Sequence, residues 1–308
     1  MVNENFDAEK EDLRVFSYKE LKKATKNFRR DMVIVRFDCS VRTFSKCYID
    51  ETTFSLSRTV TRIPVSVLES HSLLYTPQDF EEQVKSLGQI SHPNLVKILG
   101  YCCKDDKSHF LVLDYLHKGS LDSHLYGKED ALPWEIRVKI AIGIAIGLVF
   151  LHSIKNIPLH QEFRMHNIIL DEQYNAKLLY LKSNEQCLEN PQFKSEVMYV
   201  SPEYCLNETK TDVFTFGVIL LELLTGSKDT VRNERGKNRC FETAFLPHDP
   251  KIGEIIDPRL GSDYHVNAGT EMVTLIRRCT KWELNARPSM EQVLDTLNYI
   301  AEIKDECV

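Results

Sequence analysis

Ser91-His92-Pro93-Asn94-Leu95-Val96-Lys97, followed by Gly100-Tyr101-Cys102-Cys103, stands between a predicted helix and two predicted strands. Just upstream, residues 77–89 read as a helix that Pro77 opens, because a proline in the first turn gives up no hydrogen bond. Residues 95–99 and 110–115 are apolar runs of strand length. Farther upstream, residues 31–68 are rich in Val, Ile, Thr, Phe and Ser, with a turn around Asp50-Glu51, and read as strands. Before them, residues 16–28 place Leu21, Ala24 and Phe28 at helical spacing. Beyond Gly119 the character changes. Residues 136–152 and 212–224 read as strongly apolar helices, and 268–280 and 290–303 as amphipathic ones. A small β-rich part followed by a larger helical part predicts an α+β fold with two lobes. Residues 1–12 are polar and are expected to form a disordered tail.

Bulk properties narrow the function classes. A chain of 308 residues can bury a substantial core, and 43% hydrophobic with 27% charged residues is a globular composition rather than a disordered one. The net charge of −6 leaves no basic excess to drive binding to nucleic acid or an anionic membrane. The pairs Lys22-Lys23 and Arg29-Arg30 read as a solvated helix face. Nine cysteines are scattered, Cys102 and Cys103 are neighbours, and no C-x-x-C occurs. That pattern argues against a zinc site or disulfide framework and for reduced thiols in a cytosolic protein. The start does not read as a signal peptide, and Val2 stands where myristoylation needs glycine. The longest apolar run, residues 140–151, falls short of the ~20 residues of a spanning helix. Its Gly143 and Gly147 read as close-packing positions in a core.

Other motifs flank the opening stretch in a fixed order. They are Phe16-Ser17-Tyr18-Lys19-Glu20-Leu21 with Ala24-Thr25-Lys26-Asn27-Phe28; Leu111-Val112-Leu113-Asp114-Tyr115 with Gly119-Ser120-Leu121; Asn167-Ile168-Ile169-Leu170-Asp171; Ser201-Pro202-Glu203-Tyr204; Thr211-Asp212-Val213-Phe214-Thr215-Phe216-Gly217; Ile256-Asp257-Pro258-Arg259-Leu260; and Ala286-Arg287-Pro288. Together they fall over roughly residues 16–300 and resemble the plant receptor-like cytoplasmic kinases, Pelle-related protein kinases without an ectodomain. The resemblance implies a bilobal kinase fold. A β-rich N-lobe would occupy residues 13–113, and the hinge and helical C-lobe residues 114–305, with Asp114, Tyr115 and Leu116 as the hinge. It also implies a buried ion pair between Glu203 and Arg287, and an Asp212 that braces the catalytic loop.

The chemistry of phosphoryl transfer is largely missing from these motifs. Kinases cover the nucleotide phosphates with a glycine-rich loop, since a side chain would block close backbone approach. No glycine precedes Gly88, and residues 33–47 offer Arg36, Phe37, Asp38, Cys39 and Ser40 where that loop should lie. By the resemblance, Leu68 replaces the phosphate-binding lysine. Gln83 falls at the helix glutamate that holds that lysine, with Glu81 and Glu82 close by. In His160-Gln161-Glu162-Phe163-Arg164-Met165-His166-Asn167, Glu162 replaces the base aspartate. One extra methylene moves the carboxylate by about 1 Å, a shift that can cost roughly 10²-fold. Gln161 replaces the arginine that clamps a phosphorylated activation segment, Arg164 keeps only the charge of a lysine, and Asn167 retains a metal-ligand position. Tyr180 stands where the principal magnesium ligand belongs, and a phenol of pKa about 10 is a poor ligand for a hard cation.

These departures predict a pseudokinase with weak or absent ATP binding and no magnesium. As a binding protein it would be an adaptor, decoy or allosteric partner of active receptor-like or cytoplasmic kinases or immune receptors. It would sit in the cytoplasm and reach the plasma membrane only through a partner. Two rivals remain at this level: an atypical Ser/Thr kinase using Glu162 and Asn167, and a protein that holds nucleotide without turnover. His160 reads as a packed core residue and His166 as a loop residue. Ser183, Ser195 and Ser201 read as loop serines, candidate phosphosites only for another kinase.

Overall fold

The computed structural model describes residues 13–29, 33–36, 42–50, 62–71, 76–105, 108–127, 131–155, 163–180, 209–227 and 252–304. They form two compact units. One holds the described residues of Met1–Ser91 and Lys97–Tyr115, the other those of His92–Val96 and Leu116–Val308. The short strip His92–Val96 therefore belongs with the second unit, although it lies inside the range expected for the N-lobe.

In the first unit, strands β1 (Arg14–Val15), β2 (Val33–Arg36), β3 (Arg42–Asp50), β4 (Arg62–His71), β5 (Ile98–Cys103) and β6 (Ser108–Asp114) make one sheet in the order β1-β5-β6-β4-β3-β2. β1 runs parallel to β5, and the other pairs are antiparallel. Alternation along β4 sends Val65 and Val67 to one face. There they join Cys47, Ile49, Cys102, Phe110 and Val112 in a core that Phe16 and Leu21 complete.

Leu21 comes from helix α1 (Tyr18–Ala24). Its complete burial contributes about 1.5–3 kcal/mol. The helix starts at a capping box. The Glu20 N–H donates to the Ser17 hydroxyl, and the Ser17 N–H donates to the Glu20 carboxylate at 2.8 Å. Such a cap adds about 1 kcal/mol. The predicted helical stripe running to Phe28 ends early. Lys26, Asn27 and Phe28 take left-handed φ values of 51°, 64° and 51°. Each costs about 1–2 kcal/mol. The compensation is aromatic: Phe28 stacks on Phe110 at 5.4 Å, and its N–H donates to the Thr25 hydroxyl.

Helix α2 (Pro77–Gly88) begins at a second capping box, between Thr76 and Asp79, with Pro77 in the first turn as read from sequence. The predicted strand over residues 95–99 is displaced. β5 starts at Ile98, and Leu95 instead forms a single bridge with Leu178 of the second unit, to which its own strip belongs.

The second unit carries a small sheet of β7 (Gly119–Ser120), β8 (Ile168–Leu170) and β9 (Ala176–Leu178). Its helices are α3 (Leu121–Leu125), α4 (Trp134–Lys155), α5 (Thr209–Thr225), α6 (Ile252–Ile255), α7 (Val266–Cys279) and α8 (Met290–Glu302). By length and composition α4 is apolar enough to cross a membrane. Here its apolar faces pack on α8 and β9. A Cβ on Gly143 would come 3.3 Å from Ala176, and one on Gly147 3.0 Å from Leu178, so the two glycines admit β9 rather than another helix. Arg137 on α4 is buried and donates to the carbonyls of Leu132 and Leu223 and to the Asp257 carboxylate. Helix α5 is buried from Thr211 through Thr225, the pattern of a central core helix.

Candidate functional site

The face of the first unit's sheet opposite Val65 and Val67 holds Leu68. In strand register Leu68 lies directly between Phe44 on β3 and Leu111 on β6. Phe44 and Leu68 have no exposed surface, and Leu111 is also buried. None of the three offers a hydrogen bond to an anion. Two positions back on β4, Ser66 is opposite Lys46. The Lys46 ammonium lies 4.4 Å from the Tyr115 ring centroid and 5.4 Å from that of Tyr48. Hydrogen bonding to Tyr115 holds its pKa above the usual lysine value. This cation is committed to two aromatic neighbours.

Helix α2 is fixed to the same sheet by other means. The Tyr101 hydroxyl donates to Glu81 Oε1 at 2.7 Å, and Lys85 pairs with the same oxygen at 2.6 Å. The Phe80 ring stacks on buried His109 at 4.5 Å. Gln83 is half-buried on this helix. At the end of β6, the Asp114 N–H donates to the Lys97 carbonyl, and the division between the units falls between Tyr115 and Leu116.

In the second unit Asn167 closes a 3-10 turn, Met165–Asn167, just before β8. It is 3% exposed, and its carbonyl accepts from the Leu179 N–H at 2.8 Å. That bond sets the half-buried Tyr180 beside it. Burial, and then the nearby Asp212 carboxylate, push the Tyr180 phenol above its usual pKa of 10.0. It therefore stays protonated near neutral pH. Asp212, fully buried at the start of α5, accepts from His152 Nε2 at 2.9 Å. The structure thus gathers Asn167, Tyr180 and Asp212. Among the described residues no group of three or more His, Cys, Asp or Glu side chains is placed to hold a metal ion.

Arg287 is 2% exposed and spends its guanidinium on the carbonyls of Lys281, Lys210 and Trp282, with its carbon 5.0 Å from the Phe214 ring centroid. Its expected partner Glu203 lies outside the described residues. So do His160, Gln161 and Glu162, and residues 37–41, which include most of the expected phosphate loop.

The family model for protein tyrosine and serine/threonine kinases matches residues 43–297. The chain belongs to the protein kinase family. It is similar to the inactive serine/threonine-protein kinase BKN1 of Arabidopsis thaliana, 57% identical over 307 residues that cover 97% of this chain and 92% of that protein. The inactive serine/threonine-protein kinase BKN2 of the same plant is 54% identical over 309 residues, covering 96% and 91%. Receptor-like cytoplasmic kinase 176 of Oryza sativa subsp. japonica is 33% identical over 310 residues, covering 96% and 78%. These relatives bear out both the resemblance to receptor-like cytoplasmic kinases and the expectation of an inactive member.

Leu68 is the residue that the resemblance assigns to the kinase lysine, and the side chains beside it do not fit a triphosphate. Phosphate oxygens require donors, whereas the row Phe44, Leu68, Leu111 supplies buried hydrocarbon. Tyr180, which the resemblance assigns to the magnesium-ligand position, does not fit that role either, since a protonated phenol would offer a hard cation only a weak neutral oxygen. The sequence reading missed Phe44 and Leu111 as members of this row, and Tyr101 as the anchor of α2. Nothing in local sequence singles them out. Their roles come from strand register, which joins positions 24 and 43 residues away from Leu68.

Proposed function

We propose that this chain is a binding protein on a kinase scaffold, an adaptor, decoy or allosteric partner of active kinases in plant receptor or immune signalling. It performs no phosphoryl transfer and needs neither ATP nor magnesium. The observation that carries this reading is Leu68, fully buried between Phe44 and Leu111 where a kinase needs a cation facing phosphate. Without that cation, the metal carboxylate and the glycine loop, both positioning and charge stabilisation are gone. The chain works in the cytoplasm in this reading, and reaches a membrane through its partner.

A thermal-shift titration with ATP, with and without magnesium, tests it. Ligand at about 100 times its dissociation constant adds roughly 2.7 kcal/mol. The expected result is no shift in either condition. A magnesium-dependent shift would restore the kinase reading, and a magnesium-independent one would make nucleotide a structural ligand.

A further inference from the structure

The N-terminal helix carries a charge pattern that the kinase scaffold leaves unused. Lys19, Lys22, Lys23 and Lys26 recur at the spacing of one helical face, and all four are exposed. Among the described residues, none of the four forms an ion pair or hydrogen bond through its side chain. The complementary positions, Leu21, Ala24, Thr25 and Phe28, pack inward. Two further cations border the patch. The Lys104 ammonium lies 4.6 Å from the Tyr18 ring centroid, and Arg14 lies over the ring of Phe16 at 5.1 Å. Among the described residues, the acidic groups within the patch are already engaged: Glu20 caps the helix through Ser17, and Asp105 pairs with Lys104.

Lys26 owes its place to the turn of left-handed residues Lys26, Asn27 and Phe28, a conformation that costs energy for non-glycine residues. The stacking of Phe28 on Phe110 and Tyr18 holds that turn shut. The cationic face is therefore prearranged on the sheet rather than assembled on contact.

We propose that this face docks an acidic polypeptide segment of a partner protein. Lys19, Lys22 and Lys23 on α1, with Lys26 in the turn after it, form a strip on the order of 10 Å long that matches three or four residues of extended chain at about 3.3 Å each. Lysines act as point charges that tolerate varied carboxylate geometry, as a flexible acidic segment requires. A lipid surface suits the chain less well. The molecule as a whole has a net charge of −6, so a broad anionic plane meets repulsion that a narrow segment avoids. The docking surface deepens the binding role proposed above. Nucleotide and peptide binding are separate measurements, so each reading can fail alone.

The test is fluorescence anisotropy of a labelled deca-glutamate peptide against the full chain. One variant replaces the four lysines by glutamine, K19Q/K22Q/K23Q/K26Q. A control, K281E/K304E, changes net charge equally at two exposed lysines elsewhere. The expected result is salt-sensitive binding, lost at about 0.5 M salt where screening shortens to roughly 4 Å. The glutamine variant should bind at least about tenfold more weakly, with the control within about twofold of wild type. No binding by wild type at low salt, or equal weakening in both variants, would overturn the proposal. So would tighter binding to vesicles containing phosphatidylserine than to the peptide, which would reassign the face to lipid.

Discussion

The Tyr101 hydroxyl donates a 2.7 Å hydrogen bond to Glu81, tying helix α2 to strand β5. In an active kinase a strand lysine pairs with a helix glutamate; Leu68, the residue the resemblance assigns to that lysine, carries no charge for such a pairing. The helix is held by a phenol and by the Phe80–His109 stack instead.

The Tyr101–Glu81 bond should be visible in titration. Burial and then the Glu81 bond push the Tyr101 phenol up to about 12. In Glu81→Gln the phenol should titrate closer to 10, read by ultraviolet difference spectra. In Tyr101→Phe the Glu81 carboxyl, held below its usual value first by Lys85 and then by Tyr101, should rise while keeping the Lys85 contribution. Unchanged titrations would mean the bond is not populated in solution.

Restoring the lysine should harm the protein rather than revive it. Leu68→Lys places a charge between Phe44 and Leu111 and should cost about 3 kcal/mol, measured by denaturant unfolding. Adding Gln83→Glu should return part of that loss if the two side chains meet, and a double-mutant cycle isolates the coupling. Leu68→Lys with Tyr180→Asp should show no autophosphorylation above background in a radiolabelled phosphate assay. Measurable turnover would count against the pseudokinase reading.

The Arg137–Asp257 pair should govern the second unit's stability and its response to acid. Asp257→Asn leaves Arg137, 1% exposed, without its countercharge and should cost about 3–5 kcal/mol at pH 7. Burial alone would raise the Asp257 carboxyl, but hydrogen bonds from Arg259 and Arg137 outweigh it and hold the pKa below the usual range. A depressed carboxylate stabilises fully above its unfolded pKa of about 3.9, and the benefit disappears as pH falls through the lower folded value. The stability gap between wild type and Asp257→Asn should therefore narrow in acid. Denaturation midpoints at pH 7 and at about pH 3 provide the check.

Three buried thiols should be inert in the native state. Burial pushes Cys47 and Cys279 up to about 12 and Cys102 up to about 11. At pH 8 a thiol of pKa 12 is thiolate in only about one molecule in 10⁴. Iodoacetamide at pH 8 should leave all three unmodified until denaturant is added, as peptide mass spectrometry would show. Rapid native labelling of Cys279 would contradict its burial.

The sequence alone determined the family and the order of the elements. Its motifs are contiguous, and so are the signals that start helices: Ser17 with Glu20, and Thr76 with Pro77 and Asp79, sit within one turn of each other. The expectation of an inactive member was equally legible, because the absence of glycine before Gly88 and the residues that the resemblance assigns to positions 68 and 180 need no coordinates. Only the tertiary structure decided what surrounds Leu68. The row Phe44, Leu68, Leu111 depends on the register of three strands, and register is a non-local property. The same holds for the end of α1 at Ala24, where packing of Phe28 against Phe110 overrides helical spacing, and for Leu95, whose partner Leu178 lies far along the chain. Local sequence sets which conformations are inexpensive, and contacts between distant residues select among them.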